Sequence, residues 1–488
     1  MRRTILAALC VLAFLLPLAS EETSYPGLFR YHLDNGLELF VYRDSAVPLA
    51  RVEICFRAGA MAQTPDTAGL FHLYEHVVFG GASGGEASSG GSDTVKSALS
   101  SIGAVEWNGG TSAERVDWWL SLPSANVDKG IQFWADHIRP ASFSPDDLNA
   151  AKDTVAAEIK ALDAGPDAIY QAAMDKRLFG KYPWRRDPAG NEAGIRAATP
   201  EAMSKIRDTW FVPNNAAVFV GGDVDPEAVH SMAAAAFAGW KAGENPWKKP
   251  SPVHPKPGVA RPTWMVYPDP SMPEGMAFVE LRYRGPDLIT DPQASYAADL
   301  WTSLVADPAG RFKASVVKNV PKLNGADPIS AYYISQREGS TLSISAYFAI
   351  DPESSAVDRA RQFKERVRGY EITTMRSDPG YFSASDYDAA RRRLDDARRK
   401  TLETPDGVVN SLAYWWAASS GDYFIGYADA LAKIGPANVV AFLDAYVLRN
   451  LEVIALRMNP TDFEREKKSF ANSGFDVVSQ SNAFWWQK

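Results

Sequence analysis

Cysteine and histidine are scarce in this chain: among 488 residues there are two of the first and six of the second. Cys10 lies within an apolar N-terminal run, so a processed chain keeps Cys55 alone. One thiol makes no internal disulfide, and stability must then come from packing. Cys55 itself, in Val52-Glu-Ile-Cys-Phe56, reads as a small buried hydrophobe. Positive charge is also in deficit. Lys and Arg total 51 against 59 Asp and Glu, a net charge of −8, which argues against a nucleic-acid partner because phosphate binding needs concentrated basic charge. Past residue 18 no apolar run is long enough for a bilayer span, which takes about 20 residues. With 46% hydrophobic and 23% charged residues the composition also excludes a disordered tail, a fibrous repeat and a disulfide scaffold.

What is present starts at the N-terminus. Arg2 and Arg3 precede the apolar stretch Ile5 to Leu18, followed by Ala19-Ser20 and then Glu21-Glu22. A basic start, a short greasy core and small residues at its end describe a signal peptide over residues 1–20, so a secreted or periplasmic protein is expected. The length leaves room for two or three domains. Pro246 to Pro262 contains six prolines and few apolar residues, and reads as a linker. It divides the mature chain into 21–245 and 263–488.

Both parts read as α+β, strands first and helices interleaved, as an ancient duplication produces. Strands are expected at Gly36–Tyr42, around Ala50–Phe56, at Ala216–Gly222 and at Met276–Tyr283. Helical periodicity marks Gly69–Phe79, Asp147–Leu162, Asp386–Thr401 and Pro436–Leu448, and Asp225-Pro226 opens another helix. The Gly/Ser-rich run Gly80–Ser92 is expected to be a loop beside the first of these helices. No Gly-Lys-Ser/Thr follows it and no strand leads directly into it, so it is not a phosphate loop.

The chemistry concentrates in His72-Leu-Tyr-Glu75-His76. On a helix, His72 and His76 stand one turn apart on one face, and two imidazoles so spaced can reach one metal ion. Glu75 is displaced about 60° from His72 at 3.6 residues per turn, so its carboxylate can face the same site. A general base acting on a metal-activated water needs that placing. His32, His137, His230 and His254 carry no such spacing and read as ordinary core or surface residues. Two histidines hold zinc too weakly alone, so a third protein ligand is expected, with the fourth position open to water.

Gly69-Leu-Phe-His-Leu-Tyr-Glu-His-Val-Val-Phe79 is similar to the metal helix of the pitrilysin/insulinase family of inverted-motif zinc peptidases. The likeness is to the shorter two-domain type, akin to mitochondrial processing peptidase. Trp107-Asn-Gly-Gly-Thr-Ser-Ala-Glu114 resembles that family's substrate-strand signature, with Asn108 and Thr111 in place. Val155-Ala-Ala-Glu-Ile159 resembles the segment bearing its third ligand. Trp210-Phe-Val-Pro-Asn-Asn-Ala216 and Gly221-Gly-Asp-Val-Asp225 resemble its end-of-domain signature. The resemblance implies two similar α/β-sandwich domains forming half of a clamshell, with one zinc ion per chain. It implies His72, His76 and Glu158 as ligands, Glu75 as the base and Asn108 as a contact to the peptide backbone. It also implies a homodimer, or a heterodimer with a second chain of this type. The sequence departs from the pattern at Ala151, Val116 and Trp118. The family's Arg in the second domain falls near Val317, and Tyr332 and Tyr333 are both candidates for its Tyr. Those departures motivate a second expectation, a non-hydrolysing member that captures peptides or serves as a partner subunit.

Overall fold

The computed structural model describes residues 21–79, 93–248, 263–323, 325–350 and 355–487. The expected signal peptide, the Gly80–Ser92 run, His254 and the linker from residue 249 onward lie outside the described residues.

Seven strands form the first sheet: β1 (Glu21–Glu22), β2 (Leu28–His32), β3 (Glu38–Arg43), β4 (Leu49–Phe56), β5 (Glu106–Thr111), β6 (Val116–Pro123) and β7 (Ala216–Gly222), in the spatial order β1-β2-β3-β7-β4-β6-β5. The second sheet holds β8 (Thr263–Pro268), β9 (Met276–Arg284), β10 (Ser330–Ile334), β11 (Thr341–Ala349), β12 (Val453–Met458) and β13 (Asp476–Val477), in the order β10-β11-β9-β12-β8-β13. The run β5-β6-β4-β7-β3 matches β10-β11-β9-β12-β8 strand for strand. In both, three antiparallel pairings are followed by one parallel pairing. Two α/β units with one topology are what the interleaved strand and helix patterns led one to expect. The strand and helix ends fall within about two residues of expectation, the usual scatter at element boundaries. The helix expected over 436–448 is α-helical through Leu443 and continues as a π-helical turn to Leu448.

Seven helices bear on the candidate site and on the seam between the halves: α1 (Leu70–Val78), α2 (Pro145–Asp163), α3 (Pro166–Phe179), α4 (Pro292–Ala306), α5 (Ala384–Thr401), α6 (Pro405–Ala418) and α7 (Gly421–Ala432). Strand alternation gives each sheet two faces. In β4, Val52, Ile54 and Phe56 face the core that also takes Leu73 and Val77 of α1 and Val155 and Ile159 of α2. Cys55 faces the other way, fully buried in a separate cluster with Phe40, Phe219, Val409, Leu412 and Trp416.

That second cluster is built across the halves. The helix covering the outer face of the first sheet is α6, from the second half of the chain. In exchange α3, from the first half, lays Ile169, Tyr170, Ala173 and Met174 on Met265, Tyr267, Val453 and Ala455 of the second sheet. Each sheet therefore has its outer face closed by the other half's helix. Two strong burial sites, each needing both halves, make the pair one packing unit.

Candidate metal centre

α1 begins at Gly69, whose φ of +85° is left-handed backbone. A Cβ there would meet Ala189 O at 2.7 Å and the Ile195 Cδ1 at 2.8 Å, so glycine is required both for the turn and for the close approach. Gln63 fastens the same corner: its Oε1 accepts from Gly69 N, and its Nε2 donates to Trp184 O and, at 2.8 Å, to Asp187 O. Leu70, Leu73, Tyr74 and Val77 are buried, which leaves His72 and His76 on the opposite stripe. α2 starts at Ser144, whose Oγ accepts from Asp147 N, with Pro145 in the first turn. It packs against α1 and turns Glu158 toward the two imidazoles.

The three ligand-type atoms converge. His76 Nε2 lies 3.1 Å from His72 Nε2. Glu158 Oε2 lies 3.4 Å from His72 Nε2 and 3.2 Å from His76 Nε2. Tetrahedral zinc with bonds of about 2.0–2.1 Å sets its ligand atoms about 3.3–3.4 Å apart, so the observed triangle has the right size for one such ion. His76 is buried and His72 nearly so, while the Glu158 side chain is 33% exposed, which leaves one side of the triangle open to solvent. Burial works to raise the Glu158 carboxyl, but donation from both imidazoles and their charge outweigh it, bringing it down to about 2. That acid is therefore ionised at any working pH, as a ligand must be.

Glu75 is 4% exposed. Glu75 joins the same cluster: His72, Glu75 and His76 offer one ligand-type atom each within 4.8 Å of one another. Its Oε2 accepts from the Thr111 hydroxyl at 2.9 Å. Its Oε1 sits against the backbone of Gly109, where a Cβ would come within 3.1 Å of it. Both partners are on β5, so the position of Glu75 depends on a strand whose Thr111 lies 36 residues further along.

β5 pairs only with β6 and is the edge of its sheet. The bond from Ser112 N to Arg115 O extends the β5–β6 register, and alternation then turns the backbone of Trp107, Gly109 and Thr111 away from β6. Gly109 N does point off the ladder, donating to Asn108 Oδ1 at 2.9 Å. Asn108 thus stands on the open edge, engaged with its own strand.

A charge network with no signature in the sequence lies on the outer face behind β5. Arg115 Nε is 2.9 Å from Asp117 Oδ1, and its Nη2 donates to Asn410 Oδ1 of α6 at 2.8 Å. Arg51 Nη2 pairs with the fully buried Glu53 at 2.8 Å. Burial raises the Asp117 carboxyl to about 7; Arg115 opposes that, and the neighbouring charges of Glu53 and Glu75 add to it. No periodicity marks Arg115 or Asn410 as related, because 295 residues separate them.

The other sequence candidates are accounted for differently. His230 stacks on Tyr31, His137 stacks on Phe133, and His32 is exposed. Val317 packs against the second core. The Tyr333 hydroxyl donates to Pro286 O and lies 3.0 Å from Ser295 Oγ, whereas Tyr332, on the edge strand β10, is 38% exposed. The strand that precedes α4 matches β4, so α4 is the counterpart of α1; it carries no histidine.

Residues 39–187 match the family model described as insulinase (peptidase family M16), and residues 197–393 match the M16 inactive domain. An uncharacterized zinc protease of Bacillus subtilis, YmfH, is 28% identical over 235 residues, 46% of this chain and 50% of that protein. The chain spans about half the length of the first curated relatives it matches. A crystal structure of an M16-like peptidase from Alicyclobacillus acidocaldarius superposes with a TM-score of 0.71 at 16% identity, over 91% of this chain and 99% of that one. The first half of the periplasmic protease PqqL from Escherichia coli superposes with a TM-score of 0.70 at 15% identity, covering 96% and 97% of the two chains. Against the whole of PqqL the match covers 50% of that chain.

Proposed function

The chain belongs to the insulinase, or pitrilysin, family of peptidases (M16), and on that footing we propose that it is an exported zinc metallopeptidase hydrolysing peptides or unfolded segments in an enclosed chamber. The observation that carries this reading is the triangle of His72, His76 and Glu158, with Glu75 beside it on the same helix as the histidines. Those three residues would hold one zinc ion. Bound there, zinc supplies a Lewis acid that polarises the scissile carbonyl and makes water easier to deprotonate near neutral pH.

The remaining work falls to the chain's own side chains. Glu75 takes a proton from the attacking water at Oε1 while Thr111 keeps Oε2 in place. As the C–N bond breaks, the same carboxyl returns that proton to the leaving amine nitrogen. An extended peptide adds to the free edge of β5, where main-chain hydrogen bonds hold it with little regard to its side chains. Asn108, next to the outward N–H of Gly109, would help fix that backbone.

Export is supported by the basic-then-apolar start of the sequence and by likeness to a periplasmic protease. Among the described residues no single helix is long and apolar enough to cross a membrane. The match to one half of PqqL supports pairing with a second chain of this type, a second copy or a different one, to close the chamber over β5.

Zinc content and peptide cleavage, measured on wild type and Glu75→Gln, test the reading. Wild type is expected to carry one zinc and cleave; Glu75→Gln keeps the zinc and loses the cleavage. A wild type without metal, or a variant of undiminished activity, defeats it. Zinc and peptide binding with no cleavage of a varied peptide library would establish the peptide-capturing reading instead.

A further inference from the structure

Where α5, α6 and α7 meet, the packing is incomplete. A pocket of about 190 Å³, open to solvent on one side, lies between them, with Phe424 buried in it and Thr401 exposed at its rim. Its walls come from helical stripes: Leu394 and Leu402 on the α5 side, Trp415 on α6, and Phe424 and Tyr427 on α7. The gap falls on the seam between two clusters. Leu394 packs against the core of the second half, and Leu402 and Phe424 belong with the cluster that covers the first sheet.

The chemistry of the lining is two-sided. Three aromatic rings and two leucines form the walls, and Arg398 is the one charged lining residue. Its Nη2 donates to Phe424 O at 3.3 Å and its guanidinium lies 5.3 Å from the Phe424 ring and 5.6 Å from that of Tyr25, with no carboxylate paired to it among the described residues. The Tyr427 hydroxyl is turned out of the gap's chemistry by its bond to Asp299 Oδ2 at 2.8 Å. Ser411 adds a hydroxyl to the lining. The volume suits one ring and a short arm: a dry cavity of about 150 Å³ takes benzene, whereas drug-sized ligands need about 300 Å³ or more.

From this geometry we infer that the gap is a binding site for a single aromatic ring carrying a carboxylate. The ring stacks among Trp415, Phe424 and Tyr427, and the carboxylate meets the spare donors of Arg398 in a charge-assisted pair. A neutral aromatic would leave the guanidinium charge without a counter-ion, and an aromatic cation would be repelled by it. The same chemistry is offered by a free aromatic acid and by a peptide ending in an aromatic residue. No residue of the metal centre lines the gap, so binding there can be measured with the metal removed.

The test titrates the full mature chain, in EDTA, with 3-phenylpropionate and with its neutral amide, read by calorimetry and by saturation-transfer NMR of the ligand. Saturable 1:1 binding of the acid is expected, weaker by about tenfold or more for the amide and for the acid on Arg398→Met. Ser411→Leu, which pushes a side chain into the gap, is expected to abolish binding while the melting temperature holds. Tripeptide Ala-Ala-Phe against Ala-Ala-Phe-amide separates the two sources: tighter binding of the free tripeptide than of 3-phenylpropionate assigns a peptide terminus, and the reverse assigns a free acid. Absence of saturation up to about 10 mM acid, weaker than the millimolar limit of useful affinity, overturns the inference. Equal binding of acid and amide to wild type overturns it too, whether or not either variant folds.

Discussion

The Thr111 hydroxyl donates to Glu75 Oε2 at 2.9 Å, so the edge strand and the helix of His72 and His76 are joined at the carboxylate on which the proposed hydrolysis would turn. A residue on β5 thereby sets the direction of a residue on α1, and whatever lies along β5 is placed against that base.

Thr111→Val keeps the shape and removes the donor. Hydrogen bonds to charged groups contribute about 1.5–3 kcal/mol, so kcat is expected to fall roughly 10- to 100-fold. Zinc content should not change, because the triangle of ligand atoms is untouched. Steady-state cleavage alongside metal analysis decides it; an unchanged kcat would remove Thr111 from the machinery.

Glu158→Gln replaces the ionised corner of the triangle with a neutral amide of the same size. Losing a partner one step removed from a metal costs roughly 10- to 100-fold in affinity, and losing this charge is expected to cost more. Competition with a chelator of known strength gives the figure. Melting in EDTA should fall slightly for the variant, since the metal-free carboxylate is held by both imidazoles and a neutral amide keeps only part of that, with screening at a partly exposed group keeping the loss small.

Leu412 on α6 is 1% exposed against the outer face of the first sheet. Leu412→Ala is expected to cost about 2–5 kcal/mol by leaving a cavity in a shared cluster. Because that cluster joins the halves, the whole denaturant transition should shift as one, instead of splitting into a stable and an unstable half. A first half expressed alone, without α6, is expected not to fold.

Asp299 gives a pH dependence with an unusual sign. Burial holds its carboxyl up at about 7, against the bond from Tyr427 that lowers it. The unfolded value is about 3.9, so between roughly pH 4 and 7 the native state binds the extra proton. Stability from this group is therefore full below that window and is lost as pH rises through it, the reverse of a salt-bridged acid. Asp299→Asn, which still accepts from Tyr427, is expected to flatten the fall in melting temperature between pH 5 and pH 8. Parallel curves for the two proteins would contradict it.

Much of this is legible in the residues. The His72, Glu75, His76 spacing needs only helix geometry to bring three side chains to one face, and short-range periodicity is the signal a sequence carries best. The strands at 216–222 and 276–284 are readable for a related reason: the first is a dense apolar run, and the second is a run of strand formers in which Val279, Leu281 and Tyr283 alternate with Glu280, Arg282 and Arg284. Glu158 is not readable from spacing at all. Nothing within α2 distinguishes it from Asp153 or Asp163; only the resemblance to a family singles it out.

The tertiary structure decided the rest, because it turns on contacts between distant segments. Local pattern fixed which side chains share a helix face, since 3.6 residues per turn is a property of the backbone. Long-range packing fixed that Glu158 meets the imidazoles, that Thr111 meets Glu75, and that Asn410 of the second half grips Arg115 of the first. It also fixed which helix covers which sheet: nothing in α3 or α6 alone names the surface it will cover, and only the joint burial of both halves sends each across to its neighbour.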